Sequence, residues 1–250
     1  EGVLYAQMRN FALNGSREIA WPGHAIGFDA KDLAAQGGFF ESRGGRLYAM
    51  TPPLFPWIAS LFYPLVGERA VDVAPILFVV LATLVLGAAL DRVMPRGALF
   101  YILMAVFLAG SPAILLAFRF SGQSLALAMI ASGLFLLVRF FRGDDHPATL
   151  AGSAFLAGTS VLAGLESLFA AVSFLIAAGA VLTLQKRWRD LAAFAVGAGL
   201  ALAALVLHES VLHGGVPGSY LEMMLPYYAF SGIRSALFAG CLVVSLALFA

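Results

Sequence analysis

Between Val73 and Leu90 the chain runs eighteen residues without a charged side chain. Six further stretches repeat the pattern: Ala98–Phe118, Ser121–Val138, Ala148–Leu165, Leu168–Leu184, Leu191–Leu207 and Ala236–Ala250. Nothing else constrains the fold so strongly. A bilayer core of about 30 Å needs roughly 20 apolar residues in a helix. Inside lipid the backbone must satisfy its own hydrogen bonds, which helices do within one segment. Only 12% of the residues are charged and 61% are hydrophobic, against about 25% charged in soluble domains. So few charges cannot cover a water-exposed surface. The expected fold is all-α, a polytopic transmembrane helical bundle of about seven spans over residues 70–250. The fourth and fifth spans are separated only by Glu166 and Ser167, which predicts a tight hairpin. Gly152, Gly158, Gly164, Gly197 and Gly199 suit close helix contact.

Basic residues in short loops mark the cytoplasmic side of a membrane protein. Arg92 and Arg96 follow the first span, Arg139 and Arg142 the third, and Lys186, Arg187 and Arg189 the fifth. In an alternating topology all three loops share one side. The opposite loops hold only Arg119 and, near the end, Arg234. Residues 1–69 are therefore expected outside the cytoplasm. An earlier span is expected before Glu1, and both ends read as cut from a longer protein.

The outer segment has its own pattern. Leu4, Met8, Phe11 and Ala12 recur at helical spacing, and Asn14-Gly15 ends that short amphipathic helix. Residues 15–51 are polar and glycine-rich and read as an ordered loop. Leu54–Val66 is too short to cross a bilayer, so it reads as an interfacial helix. Pro53 starts it, Trp57 anchors it at headgroup depth, and Gly67 ends it. The first loop thus carries two short interfacial helices.

Polar groups cluster at the outer ends of the spans. They are Arg119, Gln123, Glu166, His208 and Glu209. Ionisable groups in a membrane domain are costly and point to function. Arg119 equally suits snorkelling to a lipid phosphate, and Glu166 also suits a water-bound hairpin cap. His208 and His213 in "HESVLH" fall short of the zinc motif, because a spacing of five turns the second histidine off the first one's face. "GDDH" at Gly143–His146 reads as a solvated turn. The lone Cys241 excludes a disulfide framework or a cysteine metal site. A net charge of +1 argues against a nucleic-acid partner.

Several of these pieces together resemble bacterial membrane glycosyltransferases of the class C fold, related to protein O-mannosyltransferases and lipid A aminoarabinose transferases. "EGVLYAQMRNFALNG" resembles the first outer helix of that family. "GGRLYAMTPPLFPWIASLFYPLVGERA" resembles its proline segment, and "LAGSPAILLAFRFSGQSLALAM" its later serine-proline turn. "LAGLESLFAA" and "HESVLHGGVPGSY" resemble its later outer turns. The likeness covers roughly residues 1–220. It implies transfer of a sugar from a polyprenyl-phosphate donor to a hydroxyl of a lipid, glycan or protein acceptor, on the extracytoplasmic face. By position it assigns Glu1 to the acidic pair that supplies the base. It also assigns Tyr5, Tyr48, Arg119, Gln123, Glu166 and His208 to substrate binding, with Arg119 on the donor phosphate. Thr51 stands where relatives carry lysine, and Gly122 and Gln123 where they carry acidic and histidine residues. No cofactor is required by this pattern, with a divalent metal as the alternative. A non-catalytic lipid-binding or scaffold subunit, and a transporter, are the competing functional classes. Transporters favour charged or broken helices at mid-membrane and inverted repeats, and neither is visible here.

Overall fold

The computed structural model describes residues 2–16, 18–19, 40–43, 46–49, 53–109, 113–143, 146–164 and 167–213. The chain enters through helix α1, Gly2–Asn14. Gly15, at φ +61°, donates back to the Phe11 carbonyl and closes the helix. Three short strands follow: β1 (Glu18–Ile19), β2 (Phe40–Arg43) and β3 (Arg46–Ala49). They form an antiparallel sheet in the order β1-β3-β2, with Arg43 opposite Arg46 and both Glu18 and Glu41 opposite Tyr48. The sequence reading had this stretch as loop. The sign it passed over is two four-residue runs on either side of Gly44-Gly45, the spacing of a two-residue hairpin.

The proline segment forms two helices, α2 (Leu54–Ser60) and α3 (Tyr63–Val66), where one was expected. Pro64 explains the break. It has no N–H to give the Ser60 carbonyl, and its ring crowds that position. Gly67, at φ +60°, ends α3 as anticipated. After one 3-10 turn at Gly67–Arg69, the first long helix is α4, Ala70–Val93.

Three helical stretches are long and apolar enough to cross a membrane: Tyr63–Val93, Gly122–Phe141 and Trp188–His208. The protein is a membrane protein built as a helical bundle. The expected second span is divided into α5 (Ala98–Ala109) and α6 (Ala113–Ala117). Residues 110–112, which include Ser111-Pro112, lie between them and outside the described residues. Then come α7 (Gly122–Phe141), α8 (Pro147–Thr159) with a 3-10 turn at Ser160–Leu162, α9 (Leu168–Leu184) and α10 (Trp188–His213). The expected seventh span lies outside the described residues.

The bundle pairs α4 with α7, α7 with α8, and α8 with α10. Small residues set the last two distances. A Cβ on Gly197 of α10 would fall 2.0 Å from the Ala151 carbonyl oxygen of α8, and one on Gly158 would fall 2.5 Å from the Ala201 Cβ. On the other side of α8, the Ser153 hydroxyl donates to the Gly133 carbonyl of α7 at 2.8 Å, fully buried. A hydrogen bond and a close backbone approach thus replace the hydrophobic drive that lipid cannot supply between helices. Gly199, by contrast, faces open space.

Candidate functional site

One end of the bundle gathers α1, α2, the start of α4, the start of α7, the turn after α8 and the end of α10. Its core is aromatic. Phe55 of α2 is fully buried, with ring centroids 4.8 Å from Phe120 and 6.1 Å from Phe78 of α4. Met8 of α1 is buried in the same cluster, with Tyr5 packed against it. Offset and edge-on ring pairs of this kind add stability beyond their buried area. They fix α1 and the proline segment on top of the bundle.

A cavity of about 320 Å³ opens beside this core. It is lined by Phe11 and Gly15 from the end of α1, Pro53, Leu54 and Trp57 from the proline segment, Leu162 from the turn after α8, and His208 from α10. Mostly apolar side chains, with the Trp57 indole and the His208 imidazole among them, suit a ligand that has both a hydrocarbon part and a polar head. Trp57 is half exposed.

A second polar group lies on the α1 side. The Tyr5 and Tyr63 hydroxyls both donate to the Glu68 carboxylate, Tyr63 at 3.0 Å to Oε1. Arg9, one turn beyond Tyr5 on α1, places Nε 3.6 Å from the same oxygen. The bond to Glu68 pushes the Tyr5 hydroxyl above the ordinary tyrosine range, because ionising it would set two negative charges together. Glu68, Arg9 and Tyr63 were not singled out from sequence. Their signal is faint: Glu68 is the first carboxylate after the proline segment, five residues beyond Tyr63.

The residues expected to form a site divide as follows. His208 meets the proline segment in the cavity, and Tyr5 lies on α1 against the adjoining core. Arg119 is exposed, beside the buried Phe120, on the same end. Gln123 is half-buried in the first turn of α7. Next to it the Ser121 hydroxyl is buried with no hydrogen-bond partner among the described residues, at a helix start whose free N–H groups favour an anion. Tyr48 lies on β3, in the register position opposite Glu41 of β2. Glu1 and Glu166 lie outside the described residues. Among the described residues no three His, Cys, Asp or Glu side chains come together as a metal site.

No protein-family model, no curated protein and no solved structure matches the chain.

Proposed function

We propose that this protein is an integral membrane glycosyltransferase that uses a polyprenyl-phosphate sugar on the extracytoplasmic face of a bacterial inner membrane. The observation that carries the reading is the cavity in which the proline segment, the end of α1 and His208 share one wall-to-wall space. Its apolar lining suits the first isoprene units of the donor. His208 supplies a polar contact at the end where Arg119, Gln123 and the unpartnered Ser121 hydroxyl are also placed.

In the reaction, the acceptor hydroxyl oxygen attacks the anomeric carbon of the sugar. The bond from that carbon to the phosphate oxygen breaks, and polyprenyl phosphate leaves with the electron pair. The acceptor's proton passes to a carboxylate within hydrogen-bond reach, the part assigned to Glu1. Arg119 stabilises the charge that grows on the departing phosphate. Binding the donor by its lipid tail holds the reacting carbon at the membrane surface, where a water-borne acceptor can reach it.

The test is transfer of radiolabelled sugar from a polyprenyl-phosphate donor in membranes holding the full-length protein. Arg119→Ala is expected to lower kcat by about 10²-fold, in the range seen when one charge-stabilising donor is removed. Glu1→Gln, Glu166→Gln and His208→Ala should each reduce transfer as well. Unchanged transfer in all four variants overturns the site. A lipid-binding subunit is the second reading, favoured by the largely apolar cavity lining, and it shows donor binding without transfer. Uptake of the substrate into vesicles, again without transfer, identifies a transporter.

A further inference from the structure

The opposite end of the bundle carries a chemistry that sugar transfer does not use. Arg92 and Arg96 at the end of α4, Arg139 and Arg142 at the end of α7, and Lys186, Arg187 and Arg189 between α9 and α10 are seven of the fifteen basic residues of the chain. The same loops hold four carboxylates, Asp91, Asp144, Asp145 and Asp190. Two of these are internally committed. Asp91 takes a bidentate bond from Arg96 at 2.7 and 2.8 Å, and Asp190 pairs with Arg187 at 2.6 Å.

The fold brings the three loops to one place, the C-terminal end of α7. Arg142 donates to the Val93 carbonyl of α4 at 3.4 Å. Arg92 of α4 lies over the Phe135 ring of α7, 5.4 Å from its centroid. From the other side, Arg187 stacks on Phe140 of α7 at 4.6 Å and reaches Phe141 at 5.9 Å. The guanidinium groups are thus oriented by rings and a carbonyl, while Arg92, Lys186 and Arg189 remain exposed. Among these cations stand two large apolar side chains turned outward, Leu184 at 75% and Trp188 at 62% exposure. Water favours neither. The depth at which cations, tryptophan and leucine are all satisfied is the headgroup boundary of a bilayer.

We propose that this basic end is a binding site for anionic phospholipid, with phosphatidylglycerol as the representative ligand. Its phosphodiester is held by Lys186 and Arg189, while its glycerol and upper acyl region rest on Trp188 and Leu184, all on the turn from α9 into α10. The excess of cations over carboxylates gives the sign of the headgroup. The outward apolar pair separates a lipid from a free phosphate, which has nothing to set against Trp188 and Leu184.

The test titrates phosphatidylglycerol and phosphatidylcholine onto the detergent-purified full chain and reads bound lipid by native mass spectrometry. Phosphatidylglycerol should bind at least tenfold more tightly, with the preference shrinking as salt rises. The double variant K186Q/R189Q should lose the preference, and R69Q, at the other end, should keep it. A second measurement does not depend on that variant folding. Brominated phosphatidylglycerol should quench the fluorescence that W188F removes, several-fold more than brominated phosphatidylcholine does. Equal affinity for the two lipids, a preference kept by the double variant, or displacement of the lipid by soluble glycerol phosphate would overturn the proposal.

Discussion

The two ends of the bundle are held by different forces, although one helix, α7, runs through both. At the α1 end the core is made of rings and small side chains: Phe55, Phe78, Phe120, Met8 and the alanines of α4 and α7. At the basic end Leu137, Phe140, Leu150, Phe174, Leu182 and Phe194 form a second core, and arginines are laid over its edge. The first arrangement positions a cavity between elements from distant parts of the sequence. The second turns cations toward the surface. The difference shows why a polar side chain has opposite meanings at the two ends. His208 is half-buried where α10 meets the proline segment, whereas Arg92 and Arg189 face outward in numbers.

The contrast can be broken most severely in the middle, where α8 joins both halves. Gly197→Leu would drive a side chain into the Ala151 backbone, and backbone cannot yield as a flexible side chain does. We expect loss of folded, monodisperse protein in size-exclusion chromatography, while Gly199→Leu, beside open space, is tolerated. Next in size, Phe55→Ala removes a fully buried ring from the α1 end and should cost about 3–5 kcal/mol. Arg187→Ala at the basic end gives up a ring contact and a partly exposed ion pair, and should cost about 1–2 kcal/mol. Equilibrium unfolding in mixed micelles checks both. Equal costs would show that the two ends are not built differently.

The smallest effect sharpens the α1 end. The Tyr5 pKa is raised by its bond to Glu68, so the neutral hydroxyl is the favoured form in the fold. The bond contributes fully below the ordinary tyrosine pKa of about 10, and its contribution is lost as pH rises through the raised value. Tyr5→Phe should therefore lower the melting midpoint slightly at pH 8. The difference from the unmutated protein should vanish well above pH 10. A difference independent of pH would place the effect of Tyr5 in packing alone.

Much of this was legible in the residues. Uncharged runs of apolar length predict helices, because lipid offers the backbone no other partner. The proline at 53 and the glycine at 67 bounded the proline segment for local steric reasons. The placement of Arg92, Arg139 and Arg187 on one side followed from alternation, and the Arg142–Val93 and Arg187–Phe140 contacts place those loops together. The break at Pro64 was written in the sequence too, but was outweighed by hydropathy, which is blind to a missing N–H. The strands around Gly44-Gly45 were hidden for another reason. Short polar strands carry little periodic signal beside a glycine-rich background.

The site was less legible than the fold. His208 could be marked as an outer polar residue, but its meeting with Trp57 and Phe11 depends on how α10 leans against α8. That lean is fixed by Gly197 on Ala151 and Gly158 on Ala201, contacts between helices that no local pattern announces. Glu68 was missed because its partners Tyr5 and Arg9 lie some sixty positions away. By itself the sequence determined what solvent each segment must face, since hydropathy and backbone hydrogen bonding are properties of a segment alone. Only the tertiary structure decided which side chains share a cavity and which cations gather at the other end, because both depend on distances between helices, and those are set by packing.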